Sequence, residues 1–91
     1  MRYSFDPDKG ASNLAKHGLD LRDARAVIES GQTVTFEDRR FTYVEARFVT
    51  IGPLANSVVV VVTAETKNEI RVISMRKADR YEKDIYRKEL R

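Results

Sequence analysis

The sequence contains no cysteine, no tryptophan, a single histidine and no long apolar run. Without cysteine the chain has no disulfide scaffold, no thiolate nucleophile and no Cys-ligated zinc or iron–sulfur centre. With one imidazole, that of His17, a transition-metal site built on two histidines is excluded as well. The longest apolar run, Val58 to Val62, is too short to span a bilayer, and residues 1–6 carry no apolar signal-peptide core. These absences predict a cytoplasmic globular protein with no cofactor, no metal and no membrane partner.

Charge, by contrast, is plentiful. The 91 residues include 17 Lys and Arg and 14 Asp and Glu, for a net charge of +3. Residues 1–37 hold 5 of the basic and 6 of the acidic side chains, which leaves 12 basic and 8 acidic side chains in the rest of the chain. The length predicts one core and therefore one domain over residues 1–91. The basic excess lies in its second part, although a charge of this size is weak evidence for a nucleic-acid partner by itself.

Two short helices are predicted in the first third of the chain. Asp6 is a suitable N-cap, Pro7 suits the first helical position, and Gly18 is a typical end. A second helix is predicted to start at Asp20 and to stop at Gly31. Because the connection between them is so short, we expect the two helices to pack as a hairpin.

After Gly31 the period of the apolar residues changes from 3.6 to 2, which indicates strands. Strands are predicted over residues 2–5, 33–36, 43–51, 58–62 and 70–75, with a loop over 52–57 and a tight turn at residues 67–68. The last three strands should form an antiparallel meander with the valine-rich strand at its centre. Residues 78–91 are predicted to form an amphipathic helix. The expected fold class is α+β, with an N-terminal helix hairpin, an antiparallel meander sheet and a C-terminal helix.

Cations are concentrated in the segment from Ile70 to Lys77. Regular strand alternation places Arg71 and Lys77 on one face and Arg76 on the other. The two arginines can then serve one site only if the strand bends or ends before Arg76. Guanidinium groups here could bind phosphate in a bidentate manner, or they could simply pair with carboxylates or lie in solvent at a strand end.

A second candidate cluster consists of Tyr43, Glu45 and Arg47, which share one face of a predicted strand. A carboxylate between an aromatic ring and a guanidinium could act as a general base beside a charge stabiliser. The alternative is an ordinary cross-strand salt bridge.

Two further residues could contact a nucleic acid. His17 lies at the end of a predicted helix, where the dipole favours its protonated form, so it could donate a proton, bind phosphate or cap carbonyl groups. Tyr86 and the Arg and Lys residues of the last helix could stack on a base and bind backbone phosphates, or Tyr86 could belong to the core.

Taken in order, these motifs resemble the BrnT family of type II toxins. The stretches that carry the resemblance are Phe5-Asp6-Pro7-Asp8-Lys9, Asn13-Leu14-Ala15-Lys16-His17-Gly18, Glu45-Ala46-Arg47, Ile70-Arg71-Val72-Ile73-Ser74-Met75-Arg76-Lys77-Ala78, Glu82 and Tyr86. The resemblance implies a RelE-like fold and an endoribonuclease that stops growth by cleaving RNA. It also implies a BrnA-like antitoxin that carries a ribbon-helix-helix module. Toxin and antitoxin would form a heterotetramer, and only the antitoxin would contact operator DNA.

The resemblance and the residue chemistry together assign expected roles. The catalytic candidates are Glu45, Arg47, Arg71 and Arg76, with Glu45 as general base and the arginines stabilising charge on the phosphate, without a metal. The RNA-binding candidates are Lys77, His17, Tyr43 and Tyr86, and Lys77 or His17 would protonate the leaving oxygen. One alternative is a catalytically weak subunit that binds a DNA-binding antitoxin and acts in operator autoregulation. Another is a small domain that binds nucleic acid nonspecifically.

Overall fold

The computed structural model describes residues 1–40, 42 and 44–90. Over these residues the elements are β1 (Arg2–Ser4), α1 (Pro7–His17), a 3-10 turn (Leu21–Asp23), α2 (Ala24–Ile28), β2 (Val34–Glu37), β3 (Ala46–Leu54), β4 (Ser57–Glu65), β5 (Glu69–Lys77) and α3 (Arg80–Glu89). The five strands form one sheet in the order β1-β5-β4-β3-β2. The α+β class is therefore confirmed. None of the helices in the described part of the chain has the length and apolar character needed to span a membrane.

The first helix begins and ends where its local signals predict. The Asp6 carboxylate accepts the backbone N–H of Asp8, Pro7 is the first helical residue, and Gly18 closes the helix in the left-handed region at φ 69°. The second helix is shorter than predicted, because Asp20 caps the 3-10 turn and α2 ends at Ile28, with Glu29 as its C-cap, before Gly31.

The expected helix hairpin is not confirmed. α1 packs mainly on β5 and α2 packs mainly on β3, and α1 also contacts the 3-10 turn. The physical reason lies in the buried side chains of the second segment. Leu21, Ala24 and Val27 are at most 2% exposed and belong to a core cluster with residues of the sheet. These apolar side chains therefore pack against the strands.

The predicted loop over residues 52–57 is wrong, since β3 continues to Leu54 and only Ala55 and Asn56 form the turn to β4. Gly52 is needed inside the strand because a Cβ there would lie 2.8 Å from Val27 Cγ1. Pro53 is tolerated because β2 pairs with β3 only as far as Ile51, so the missing N–H has no partner strand beyond that point. A glycine and a proline in sequence usually indicate a turn. Here Gly52 allows the close approach of Val27, and Pro53 lies where β3 no longer pairs with β2.

The meander of β3, β4 and β5 is antiparallel and has the valine-rich strand at its centre, as predicted. The sheet as a whole is mixed, because β1 pairs parallel to β5 over only three residues. Beyond Arg71 the outer edge of β5 therefore lacks a strand partner, and α1 packs against β5 instead.

The core has one part on each side of the sheet. On one side α1, the 3-10 turn and α2 cover a cluster that includes Val59, Val61 and Met75. On the other side α3 covers a cluster of Ile51, Val60, Ala78 and Tyr86. We call the first side the helix-pair face and the second the α3 face. α3 packs on β3 and covers the part of its face around Ile51 and Val60.

Candidate functional site

A β-bulge in β5 decides which side chains share a face. Val62 pairs with Ser74 and the next residue, Thr63, pairs with Val72, so Ile73 is an extra residue in β5. The extra residue reverses the alternation, and Val72 and Met75 consequently belong to the same core cluster.

As a result Arg71 and Arg76 lie on the same face of the sheet. Their partners on β4 are Ala64 and Val60, four residues apart on a regular strand, and Val60 belongs to the α3 cluster. The placement of the two arginines on opposite faces, expected from alternation, is therefore wrong. The bulge supplies the bend that a shared site requires.

Arg47 lies level with Arg71 across three strands, and we call Arg47, Ala64 and Arg71 the arginine row. Ala64 pairs with Arg47 of β3 on one side and with Arg71 of β5 on the other. With strands about 4.8 Å apart, the two arginine Cα atoms stand about 10 Å apart across a residue with a very small side chain. This row lies on the α3 face beyond the cluster that α3 covers, and Ala64 at its centre is only 1% exposed beneath the neighbouring side chains.

Glu45, just before β3, completes this row. Its Oε1 accepts a hydrogen bond of 2.9 Å from Arg71 Nη2, and the two side chains are 29% and 45% exposed. The carboxylate thus lies at the solvent surface, directly beside the guanidinium. The predicted cluster of Glu45 and Arg47 therefore gains Arg71, while Tyr43 lies outside the described residues.

Arg76 is held more tightly than Arg71. Its Nη1 and Nη2 each donate 2.7 Å hydrogen bonds to the two carboxylate oxygens of Glu82, in a bidentate arrangement. Glu82 also accepts the backbone N–H of Asp79, whose own carboxylate accepts the N–H of Glu82, which is a complete capping box for α3. A single carboxylate therefore orients Arg76 and starts the last helix.

The hydrogen bonds from Arg76 are the main reason that the pKa of Glu82 lies below its ordinary value of 4.5, while burial acts in the opposite direction. A carboxylate whose pKa is lowered by folding stabilises the protein above that ordinary value, and the stabilisation is lost as the pH falls through the folded-state pKa. We expect Glu82→Gln to lower the melting temperature by a few degrees at pH 7 and by much less near pH 3.

Thermal unfolding of both proteins between pH 7 and 3 measures this difference. Glu89→Gln, on the same helix, is the control, because in the described part of the chain Glu89 takes part in no ion pair. It should melt with the wild type at every pH. An equal deficit for Glu82→Gln at pH 7 and pH 3 would contradict the electrostatic account.

His17 and Ser74 line a common cleft at the outer edge of β5. Its other lining residues are Lys9, Ser12, Asn13, Lys16 and Ile73. A neighbouring cleft shares Lys9 and Ile73 and includes Arg71. Ser74 lies on the α3 face, in the row between those of Arg71 and Arg76. His17 therefore lies at the outer edge of β5, in the cleft next to the one that Arg71 lines.

Asn13 fastens α1 at this edge. Its side chain accepts the backbone N–H of Met75 at 3.0 Å and donates to the carbonyl oxygens of Met75 at 2.9 Å and Leu19 at 3.0 Å. The amide is only 6% exposed. It pairs with β5 as a neighbouring strand would, just beyond the end of β1.

The remaining predicted RNA contacts lie elsewhere. Lys77 pairs in register with Val59, a core residue of the helix-pair face, and so does not share a face with Arg76. Tyr86 is 9% exposed and donates from its hydroxyl to the carbonyl of Gln32 at 2.7 Å. The buried ring leaves no face for a base, so the expectation of stacking on Tyr86 is corrected to a core role.

Several residues of this region escape sequence reasoning. Ala64 is an ordinary alanine in an apolar strand, and nothing local indicates that it separates two arginines. Ser74 becomes a neighbour of His17 only through the packing of α1 on β5. The capping-box pattern of Asp79 and Glu82 is readable from the sequence, but its ion pair with Arg76 is not. Within the described residues no group of three His, Asp or Glu side chains is placed to hold a metal ion.

Fold and site together define a class of protein, namely a small α+β protein with arginines and carboxylates gathered on an open sheet face. The chain belongs to the BrnT family, because the family model described as "Ribonuclease toxin, BrnT, of type II toxin-antitoxin system" matches residues 5–82. No curated protein matches the chain. The family consists of ribonuclease toxins of type II systems, and such a toxin has an antitoxin as its partner.

Proposed function

We propose that this chain is a metal-independent endoribonuclease that arrests growth by cleaving RNA at the arginine row of the α3 face. The observation that carries the proposal is the convergence of Arg47, Arg71 and Glu45 around Ala64, which rests on the register of β3, β4 and β5. Cations paired with one surface carboxylate suit a reaction in which negative charge builds on a phosphate.

The reacting phosphodiester would lie against the exposed guanidinium of Arg71, beside Glu45 and above the buried Ala64 that separates Arg71 from Arg47. The 2′-hydroxyl of the preceding ribose attacks the phosphorus, and Glu45 accepts its proton as general base. The arginines stabilise the additional charge on the phosphorane oxygens. The bond to the 5′-oxygen then breaks, which leaves a 2′,3′-cyclic phosphate on one product and, after protonation, a 5′-hydroxyl on the other. No step of this sequence requires a metal ion.

His17 is the better candidate for the acid that protonates the 5′-oxygen. Its cleft includes Ser74, one row along β5 from Arg71, whereas Lys77 lies at the far end of the strand. An imidazole can deliver a proton near neutral pH. Lys77 is retained as an RNA contact outside the reacting centre.

Arg76 would bind the phosphate of a neighbouring nucleotide. Its row lies four residues along β4 from that of Arg71, which corresponds to about 13 Å. Among the described residues no atom accepts a hydrogen bond from the Nε–H of Arg76. This donor therefore remains for a ligand, while Glu82 binds the Nη atoms. Tyr43, before Glu45 in the chain, remains a proposed base contact.

We further propose that the antitoxin is a ribbon-helix-helix protein, that the two proteins form a heterotetramer, and that operator DNA is contacted through the antitoxin alone. The cytoplasm is the proposed location. These proposals follow from membership in the family. The exposed Arg71 on the α3 face is part of a surface that an antitoxin could cover.

The test is cleavage of a defined RNA by protein made in a cell-free system, with and without a chelator. We expect 2′,3′-cyclic phosphate ends, an unchanged rate with EDTA, and no cut where one 2′-hydroxyl is replaced by hydrogen. Glu45→Gln should lower the rate by about 10²- to 10⁴-fold. A folded chain that cleaves no RNA but still binds its antitoxin would favour the alternative of a catalytically weak subunit that acts in autoregulation.

A further inference from the structure

Lys77 lines a cleft at the end of the sheet that is separate from the arginine row. The other lining residues are Lys83 and Arg87 of α3 and Asn56, Ser57 and Val58 at the turn from β3 to β4. Three cationic side chains from two elements thus surround one depression. In the described part of the chain no Asp or Glu lines it.

The cations of this cleft are less well paired than most arginines in the described part of the chain. Arg2, Arg22, Arg25, Arg39, Arg40, Arg71 and Arg76 each have a carboxylate partner. Over the described residues Lys77 and Lys83 have none. Arg87 meets only Asp84, at 3.6 Å, with both side chains more than half exposed. A pair of that kind contributes little, so the cleft keeps an uncompensated positive charge.

From this arrangement we infer that the cleft binds a phosphate of the RNA strand that lies on the arginine face, outside the reacting phosphodiester. The inference rests on the proposed function for its ligand. Lys83 directly follows Glu82, the carboxylate that holds Arg76, so the cleft begins next to the guanidinium that would hold the strand. Lysine ammonium groups are point charges without a fixed geometry, which suits contact with a backbone regardless of base sequence. The side chains of Asn56 and Ser57 offer further donors to phosphate oxygens.

Two of the three cations of this cleft lie outside the range that the family model matches. The family match ends at residue 82, so Lys83 and Arg87 lie beyond it. Four residues apart on α3, they form one side of the cleft, and Lys77 forms another. Arg80 and Lys88 are on the same helix but do not line the cleft, which makes them a matched control.

The experiment measures binding of a fully 2′-O-methylated RNA, which lacks the attacking hydroxyl and cannot be cleaved. Fluorescence anisotropy at several salt concentrations gives the slope of log K against log salt. For the double variant Lys83→Gln/Arg87→Gln we expect the slope to fall in magnitude by about 0.7, the value of one single-strand phosphate contact. Arg80→Gln/Lys88→Gln removes the same charge from the same helix and should keep the wild-type slope.

With cleavable RNA the first double variant should raise KM and leave kcat nearly unchanged, because the cleft is away from the reacting phosphate. If the two double variants have the same slope, the inference is overturned even where the wild type cleaves RNA. If the slope falls as expected but no RNA is cut, the cleft stands and the proposed function fails. Loss of antitoxin affinity with an unchanged RNA slope would overturn the inference in favour of a protein contact.

Discussion

Arg71→Ala should lower kcat for RNA cleavage by about 10²- to 10³-fold, the usual effect of removing one group that stabilises an oxyanion. Arg71 faces the reacting phosphate in the proposed arrangement and orients Glu45 through a 2.9 Å hydrogen bond. Arg76→Ala should act differently, by raising KM more than it lowers kcat, since Arg76 binds a neighbouring phosphate. In cells both variants should relieve growth arrest.

The matched control is Arg22→Ala. Arg22 also pairs with a carboxylate at 2.7 Å, that of Asp20, but it lies within the 3-10 turn on the helix-pair side. Its loss should leave kcat and KM unchanged. Because Arg76→Ala strands the partly buried Glu82, a double variant with Glu82→Gln separates a loss of binding from a loss of folding. Fully active Arg71→Ala protein with native circular dichroism would show that the arginine row is not the site.

Asn13→Ala should lower the free energy of unfolding by about 3 kcal/mol, because it leaves buried backbone groups of Met75 and Leu19 without hydrogen-bond partners. Few surface changes in so small a protein would cost as much. Urea unfolding followed by circular dichroism measures the loss.

Two further variants identify the cause of the stability loss in Asn13→Ala. Ser12→Ala, next to it on the exposed side of α1, should stay within about 0.5 kcal/mol of the wild type. Asn13→Asp keeps the volume and the acceptor for Met75 N–H but directs a carboxylate oxygen at two carbonyl groups, so it should be at least as damaging as alanine. If Asn13→Asp were as stable as the wild type, the amide donor would have no structural role.

The parts of the fold that sequence predicts are those with local causes. Asp6, Pro7 and Gly18 act on neighbouring backbone groups, so the limits of α1 follow from the residues themselves. The valine-rich strand is apolar on both faces and accordingly lies at the centre of the meander. The parallel pairing of β1 and the strand role of Gly52 depend on contacts far apart in the chain. The RelE-like likeness and the extent of the domain remain predictions.

For the candidate site, sequence predicts the residue types better than their placement. The alternation rule assumes a regular strand, so it separates Arg71 from Arg76, which the bulge places together. The same rule cannot show that Glu82 pairs with Arg76 from another element. The burial of Tyr86 replaces its predicted RNA contact with a core role. The amphipathic period of the sequence does not tell which of two adjacent rows of a helix faces the sheet.

The bulge also bears on how such a chain can change over generations. With Ile73 as an extra residue, Arg71 and Arg76 are five positions apart yet share a face. A descendant that lost one residue between them would have a regular strand with the arginines four positions apart, again on one face. A gap at this point is therefore compatible with an unchanged surface, whereas the loss of two residues would move one arginine to the opposite side. Alignments of relatives should accordingly admit a single-residue deletion here without treating it as the loss of the arginine pair.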